Sequence, residues 1–402
     1  MKTANFETDA IRSQIDRTQY QEHSAPLFLT SSFVFEDADE MDAAFSGTLK
    51  RNIYSRFTNP NTAEFENKMA RLEGAEAGIS FASGMSAVFS TLAALLKSGD
   101  HIISSRAIFG STHGLFSNFL PRWNISHSYF DRLDEIESLV RPESRVIFVE
   151  SPTNPGVDIL DLEVIGKIAK KHQLLFIVDN CFASPYLQNP IEWGADLVIH
   201  SATKLIDGQG RVLGGVTVGP EDLIHEIFLF ARNTGPALSS FNAWILSKSL
   251  ETLPVRLDRH CRNALEIARF LEKHPATEKV KYPFLESHPQ YAVAKKLMKQ
   301  GGNMISFVIK GGLESGKTFI NALQLCSRTA NLGDSRSIVT HPASTTHGRL
   351  SPEDQLEAGI TPGLVRISAG LEHPDDIIRD LKQALETARI TFQNETTQKD
   401  NF

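Results

Sequence analysis

The apolar positions of this chain gather into short runs set apart by segments of helical period. Runs at 77–82, 101–105, 145–150, 174–179 and 196–200 are short and apolar enough to be strands covered on both faces. Between some of them, 85–96 and 162–172 carry helical patterns. Strands alternating with helices predict a mostly parallel sheet in an α/β fold, and 214–219 adds a further strand. Asn59-Pro60-Asn61-Thr62 has helix-start chemistry, and 64–72 continues it as an amphipathic helix ending near Gly74. Upstream, 25–50 holds neither period and reads as an extended arm. From about Pro254 the pattern changes. A long charged helix over 257–273 leads into 302–309, 319–325 and 365–368, as in a smaller α+β domain closing on the first. The polar tail from Asn394 is expected to fray. The organisation predicted is an arm over 1–60, an α/β domain over 61–253 and an α+β domain over 254–402.

Composition narrows the class. A chain of 402 residues exceeds the size at which one core stops growing, and 41% hydrophobic with 22% charged residues is ordinary for a globular protein. The stretch 77–96 is uncharged and as long as a membrane span. Its Ser80, Ser83, Gly84, Ser86, Ser90 and Thr91 instead predict a strand, a turn and a buried helix. A net charge of -7 with scattered basic residues leaves no electrostatic footprint for nucleic acid and argues against an anionic membrane surface. Cys181, Cys261 and Cys326 are odd in number, far apart and in no metal pattern, so a reducing, cytoplasmic setting is expected. The first twelve residues mix charges with no apolar core, unlike a secretory signal. His101, His113, His172 and His260 have no ligand spacing, so no metal site is expected.

The chemistry lies just past the strands. His200-Ser201-Ala202-Thr203-Lys204 delivers two hydroxyls and a lysine at the carboxyl end of a strand, where open α/β sheets bind ligands. Hydroxyls suit phosphate oxygens, and a desolvated lysine becomes a nucleophilic amine. Asp179 ends another apolar run, where a carboxylate needs a nearby cation such as a protonated pyridine nitrogen. Ser83-Gly84-Met85-Ser86 joins a strand to a helix whose N-terminus can face an anion. Ser151-Pro152-Thr153-Asn154-Pro155 gives Asn154 a fixed position from which its amide can bind a ligand oxygen. Taken singly, each has a plainer reading: a solvated lysine, an ion-paired carboxylate, a structural turn, an ordinary loop. Together they match different parts of one cofactor.

In order and content these motifs resemble the Cys/Met-metabolism family of fold-type I enzymes that use pyridoxal 5'-phosphate (PLP), and the match runs from about Gln19 to Leu385. The resemblance implies a large PLP-binding domain, a smaller C-terminal domain and a homotetramer built from active dimers. By the same resemblance Lys204 is the Schiff-base lysine, Asp179 the partner of the pyridine nitrogen and Asn154 the neighbour of the phenolic oxygen. Gly84, Met85, Ser201 and Thr203 match the phosphate cradle. Tyr54 and Arg56 match a pair that reaches the cofactor of the neighbouring subunit. Arg366, in Val365-Arg366-Ile367-Ser368, matches the arginine that forks onto the substrate α-carboxylate.

Departures within the family refine the expected reaction. Phe109 stands where many relatives stack a tyrosine on the cofactor ring, and phenylalanine cannot transfer a proton. Acid–base work then falls on Lys204 and Tyr54. Ser111 stands where methionine γ-lyases usually have cysteine. Asn331-Leu332-Gly333-Asp334-Ser335-Arg336-Ser337 looks like the sulfhydrylases, whereas cystathionine enzymes commonly have glutamate at the Arg336 position; Asn331 is placed by this likeness at the substrate. The segment 341–350, with Arg349, resembles O-succinylhomoserine sulfhydrylases, and Arg349 would meet a succinyl carboxylate. The reaction implied is γ-replacement, from O-succinyl-L-homoserine and sulfide to L-homocysteine and succinate. O-acetylhomoserine sulfhydrylase and cystathionine γ-synthase activities are the alternatives. A γ-lyase and a non-catalytic protein of PLP fold stand further off.

Overall fold

The structure, a computed structural model, describes residues 5–345, 348, 351–357 and 359–399. Seven strands form its larger sheet: β1 (Ala77–Phe81), β2 (His101–Ser105), β3 (Ser126–Phe130), β4 (Ser144–Glu150), β5 (Leu175–Asp179), β6 (Leu197–Ser201) and β7 (Gly215–Gly219). Their order is β1-β7-β6-β5-β4-β2-β3, and β7 alone runs antiparallel to its neighbours. Successive side chains on a strand face opposite sides. Ile147, Val149, Phe176, Val178 and Val198 therefore enter one core, and Val146, Phe148, Ile177, Leu197 and Ile199 enter the other. Both faces need apolar residues, so the runs are continuous rather than alternating.

The smaller sheet comprises β8 (Thr277–Lys281), β9 (Met304–Ile309), β10 (Ser327–Arg328), β11 (Ile338–Thr340) and β12 (Leu364–Ser368), in the order β10-β11-β12-β9-β8. Its core gathers Ile305, Phe307, Phe319, Val365, Ile367 and Leu381. The fold is α/β, with a mostly parallel sheet and a smaller second one. The proposed boundary at 253/254 falls at the start of the helix Leu253–Lys273. That helix places Leu253, Leu257 and Cys261 in the first core and Ala264, Ile267 and Leu271 in the second.

Local signals mark several elements. The helix Pro60–Glu73 has Asn59 as its cap, accepting from the Asn61 N–H at 2.9 Å, and it ends on left-handed Gly74 (φ 76°). The uncharged stretch 77–96 forms β1, a Ser83 cap and the helix Gly84–Leu95. No described helix is long and apolar enough to cross a membrane.

Two expectations need correction. Within the supposedly extended 25–50, Ala38–Ser46 is a helix, capped by Asp37 accepting from Glu40 N–H at 2.8 Å and closed by Gly47. Ala38, Met41 and Phe45 fall at helical spacing, but over only nine residues, so the caps carry the clearer signal. Upstream of that segment, Ala10 is buried in the first core and Asp9 pairs with Arg71 at 2.7 Å. Finally, the C-terminal helix Pro374–Lys399 continues past Asn394, where fraying was expected; with its turns through Ala388 packed in the second core, each further residue extends an already nucleated helix.

One half-buried carboxyl ties this packing to pH. Ser80 donates both its N–H (2.9 Å) and its hydroxyl (2.6 Å) to Glu66 Oε1, yet burial outweighs these bonds and pushes the Glu66 carboxyl up to about 7. A carboxyl raised in the folded state contributes stability that is fully present below its unfolded pKa and lost as pH rises through 7. Glu66→Gln should therefore stabilise the protein on the order of 1 kcal/mol at pH 8 and change little at pH 5. Denaturant unfolding at both pH values checks this, and an equal effect at the two would refute the titration.

Candidate active site

Adjacent parallel strands β4, β5 and β6 bring their carboxyl ends to one rim of the larger sheet, as the connectivity of an open α/β sheet requires. β5 ends on Asp179, whose Oδ1 accepts the Cys181 N–H at 3.0 Å. Desolvation pushes its carboxyl up to about 6, against the opposing pull of that N–H and of His200. β6 ends on Ser201 and leads to Thr203, whose hydroxyl is held between the Gly214 N–H (3.1 Å) and C=O (3.3 Å). Burial, aided by the positive field of Arg366, lowers the pKa of the Lys204 amine.

Gly84 opens the helix after β1 in close contact with Ser201. A Cβ there would lie 2.6 Å from the Ser201 Cβ, so only glycine allows this approach of backbone to hydroxyl. Met85 follows on the same helix end, and its sulfur lies 3.7 Å from the Thr112 hydroxyl. This places Met85 beside the short helix Gly110–Gly114 that Phe109 precedes.

The smaller sheet supplies the facing wall. Arg366, buried in the middle of β12, donates from Nη1 to Asn154 Oδ1 at 2.8 Å. Its Nη2 reaches the Ala330 and Asn331 carbonyls at 3.4 and 3.5 Å. Asn331 Oδ1 accepts from Lys204 Nζ at 2.6 Å. Lys204, Asn331, Arg366 and Asn154 are thus one connected set spanning both sheets. Burial pushes the Arg366 guanidinium down to about 10, a sign of how dry this wall is.

Tyr54 and Arg56 do not join that set within the chain. Arg56 donates to the Arg232 carbonyl and lies 4.7 Å over the Phe57 ring, and Tyr54 is 40% exposed. A cavity of about 280 Å³ beside them is lined by Arg56, Glu66, His225 and Arg232. Phe109 is 43% exposed while its N–H donates to Glu150 Oε2 at 2.7 Å. Arg349 lies outside the described residues. Arg336 bonds Asp334 at 3.0 Å and is otherwise exposed.

Two polar residues of this region escaped sequence reasoning. Glu150 ends β4 in register with Asp179 and, like it, closes an apolar run with a charge. Glu73 binds His200 Nε2 at 2.6 Å beneath the rim and accepts from Asn180 and Asn189. No sequence signal announces this pair, whose members lie 127 positions apart.

The profile of Cys/Met metabolism PLP-dependent enzymes matches residues 7–386. The chain belongs to that family. Among its curated relatives is the O-succinylhomoserine sulfhydrylase of Pseudomonas aeruginosa, 44% identical over 96% of each chain. The L-methionine γ-lyase of Fusobacterium nucleatum is 43% identical over 96% of this chain and 99% of its own. A Campylobacter jejuni structure, provisionally assigned as an O-acetylhomoserine (thiol)-lyase, superposes with a TM-score of 0.92. It is 36% identical, covers 95% of this chain and 100% of its own, and carries N'-pyridoxyl-lysine-5'-monophosphate.

This Cys/Met-family enzyme accordingly uses PLP. Its own residues fit the cofactor. Asp179 is a desolvated carboxyl that, among the described residues, has no ion-pair partner and would gain one from a protonated ring nitrogen. The Gly84–Ser201 approach and the helix it opens suit a phosphate, and the depressed amine of Lys204 suits attack on an aldehyde.

Proposed function

We propose that this enzyme carries out γ-replacement on O-succinyl-L-homoserine, with sulfide as the incoming group, giving L-homocysteine and succinate. The observation that carries the reading is the Lys204–Asn331–Arg366–Asn154 set, which puts a desolvated amine and a forked cation on one dry wall. A small amino acid fits that pairing. The 44% identity to the Pseudomonas aeruginosa sulfhydrylase supports the ester, and Ser111, in place of the usual lyase cysteine, speaks for replacement over elimination.

Roles follow from the chemistry of each group. Arg366 takes the substrate α-carboxylate in a bidentate grip and holds Cα beside Lys204. Bound PLP supplies an electron sink, so that protons can leave Cα and Cβ and succinate can leave Cγ. The Lys204 amine takes the Cα proton and returns it, and Asn331 Oδ1 holds that amine between transfers. Asp179 would keep the ring nitrogen of bound PLP protonated, and Asn154, fixed by Arg366, would bind its phenolic oxygen. Ser201, Thr203, Gly84 and Met85 would hold its phosphate, and Phe109 would cover its ring. Tyr54 and Arg56, too distant in their own chain, serve the site of a second copy, which makes the working unit at least a dimer and, by family likeness, a homotetramer. The three free cysteines suit a reducing cytoplasm.

A second reading, elimination from L-methionine, is favoured by the 43% identity to the Fusobacterium lyase. Assaying the succinyl and acetyl esters, each with sulfide and with cysteine, separates the readings. Fastest turnover with the succinyl ester and sulfide is expected, with Arg349→Ala lowering that activity about ten- to a hundredfold and sparing the acetyl ester. Release of 2-oxobutanoate from methionine at a comparable rate without added thiol would replace the proposal with the lyase.

A further inference from the structure

Behind the ring-covering Phe109 lies a carboxyl that none of the roles above employs. Glu150 is 3% exposed and ends β4, opposite Asp179 in the parallel register. Residues paired in register on neighbouring strands project to the same face, so two carboxyl groups stand side by side at the rim. The groups facing Glu150 are few. From β5 comes the like charge of Asp179, and after that strand comes the Cys181 thiol, which feels the charges of Asp179, Lys204 and Glu150. From β12 comes the cation Arg366, whose Nη1 already donates to Asn154. From the loop after β2 comes the Phe109 N–H, donated to Oε2 at 2.7 Å. Among the described residues, no ion pair joins Glu150 to Arg366.

Two adjacent carboxyls in a dry site do not both ionise. Of the two, Asp179 has the greater need for charge, because a protonated ring nitrogen must be matched there. We propose that Glu150 is a positioning residue, a carboxylic acid kept neutral, whose Oε2 fixes the Phe109 backbone while Asp179 alone supplies the negative charge on this rim. The inference rests on the reading of Asp179 as partner of the pyridine nitrogen. Burial and the neighbouring Asp179 charge both raise the Glu150 pKa well above the ordinary carboxylate range, more than the Phe109 N–H and Arg366 lower it. The geometry also explains why a carboxyl is useful at this point. One oxygen accepts the amide of Phe109, and the other is left to carry the proton, so the backbone under the stacking ring is anchored without a second charge beneath the cofactor.

Infrared difference spectra of the holoenzyme against Glu150→Gln test the protonation directly. A protonated-acid carbonyl band at neutral pH, lost in the variant, is expected. Glutamine keeps an acceptor for Phe109 and is neutral, so the pH midpoint of the bound cofactor's visible absorbance should move by less than about 0.3 unit. Glu150→Ala should lower kcat/KM about tenfold, with Glu150→Gln recovering most of the loss. The proposal is overturned by a carboxylate signal for Glu150 at neutral pH. It is equally overturned by a midpoint that falls a unit or more in Glu150→Gln, or by a Gln variant as impaired as the Ala variant. If Glu150→Ala does not fold, the infrared and absorbance comparisons with Gln still decide. Asp179→Asn separates the two claims: an unmoved absorbance midpoint there removes Asp179 from the ring nitrogen, while the infrared band reports Glu150 by itself.

Discussion

Lys204→Ala is expected to lower kcat on the order of 10⁴-fold, the upper range for removing a group that moves a proton in the rate-limiting step. Burial and Arg366 depress the pKa of this amine, so more of it is unprotonated near neutral pH than an exposed lysine would offer. Asn331 Oδ1, 2.6 Å away, limits its rotamers. Borohydride reduction of the holoenzyme followed by peptide mapping should place the pyridoxyl label on Lys204. Thermal unfolding of the Ala variant near the parent's Tm would show that activity, not the fold, was lost. A label on another lysine, or a variant with activity within tenfold of the parent, would dismiss Lys204 as the catalytic amine.

Arg366→Ala should be the next largest loss, about 10²- to 10³-fold in kcat/KM, since truncating one partner of a desolvated charge pair costs about 2–5 kcal/mol. Arg366→Lys should recover only part, because an ammonium cannot make the two parallel bonds of a guanidinium. Removal also frees Asn154, whose Oδ1 takes the Nη1 bond. A substrate analogue without the α-carboxylate distinguishes recognition from scaffolding. The parent should handle it as poorly as Arg366→Ala does, whereas an equal drop for both substrates on mutation would make Arg366 structural.

Much of this was legible because its causes are local. The apolar runs that became β4, β5 and β6 announce strands covered on both faces, and the residue closing each run falls at a strand end. Asn59-Pro60 before the helix and Gly74 after it encode both termini through their own dihedral and capping preferences. Where local cues were faint, reading failed. The edge strand β3 is polar and half-exposed, since only one flank of it is paired, and the helix Ala38–Ser46 rests on its caps more than on an apolar face.

The sequence by itself determined that β4, β5 and β6 are strands and that Asn154, Asp179 and Lys204 fall at or just past their carboxyl ends, because strand period and crossover direction depend on neighbours in the chain. It did not determine who meets whom. Asn154 and Arg366 are 212 positions apart, and Lys204 and Asn331 are 127 apart. Only the packing of the smaller sheet against the rim of the larger one joins them. The charge states, too, belong to the tertiary structure. Asp179 and Glu150 both end apolar runs, and register, burial and the Phe109 amide set their different environments. Desolvation and close charge are properties of enclosure, which no window of sequence contains.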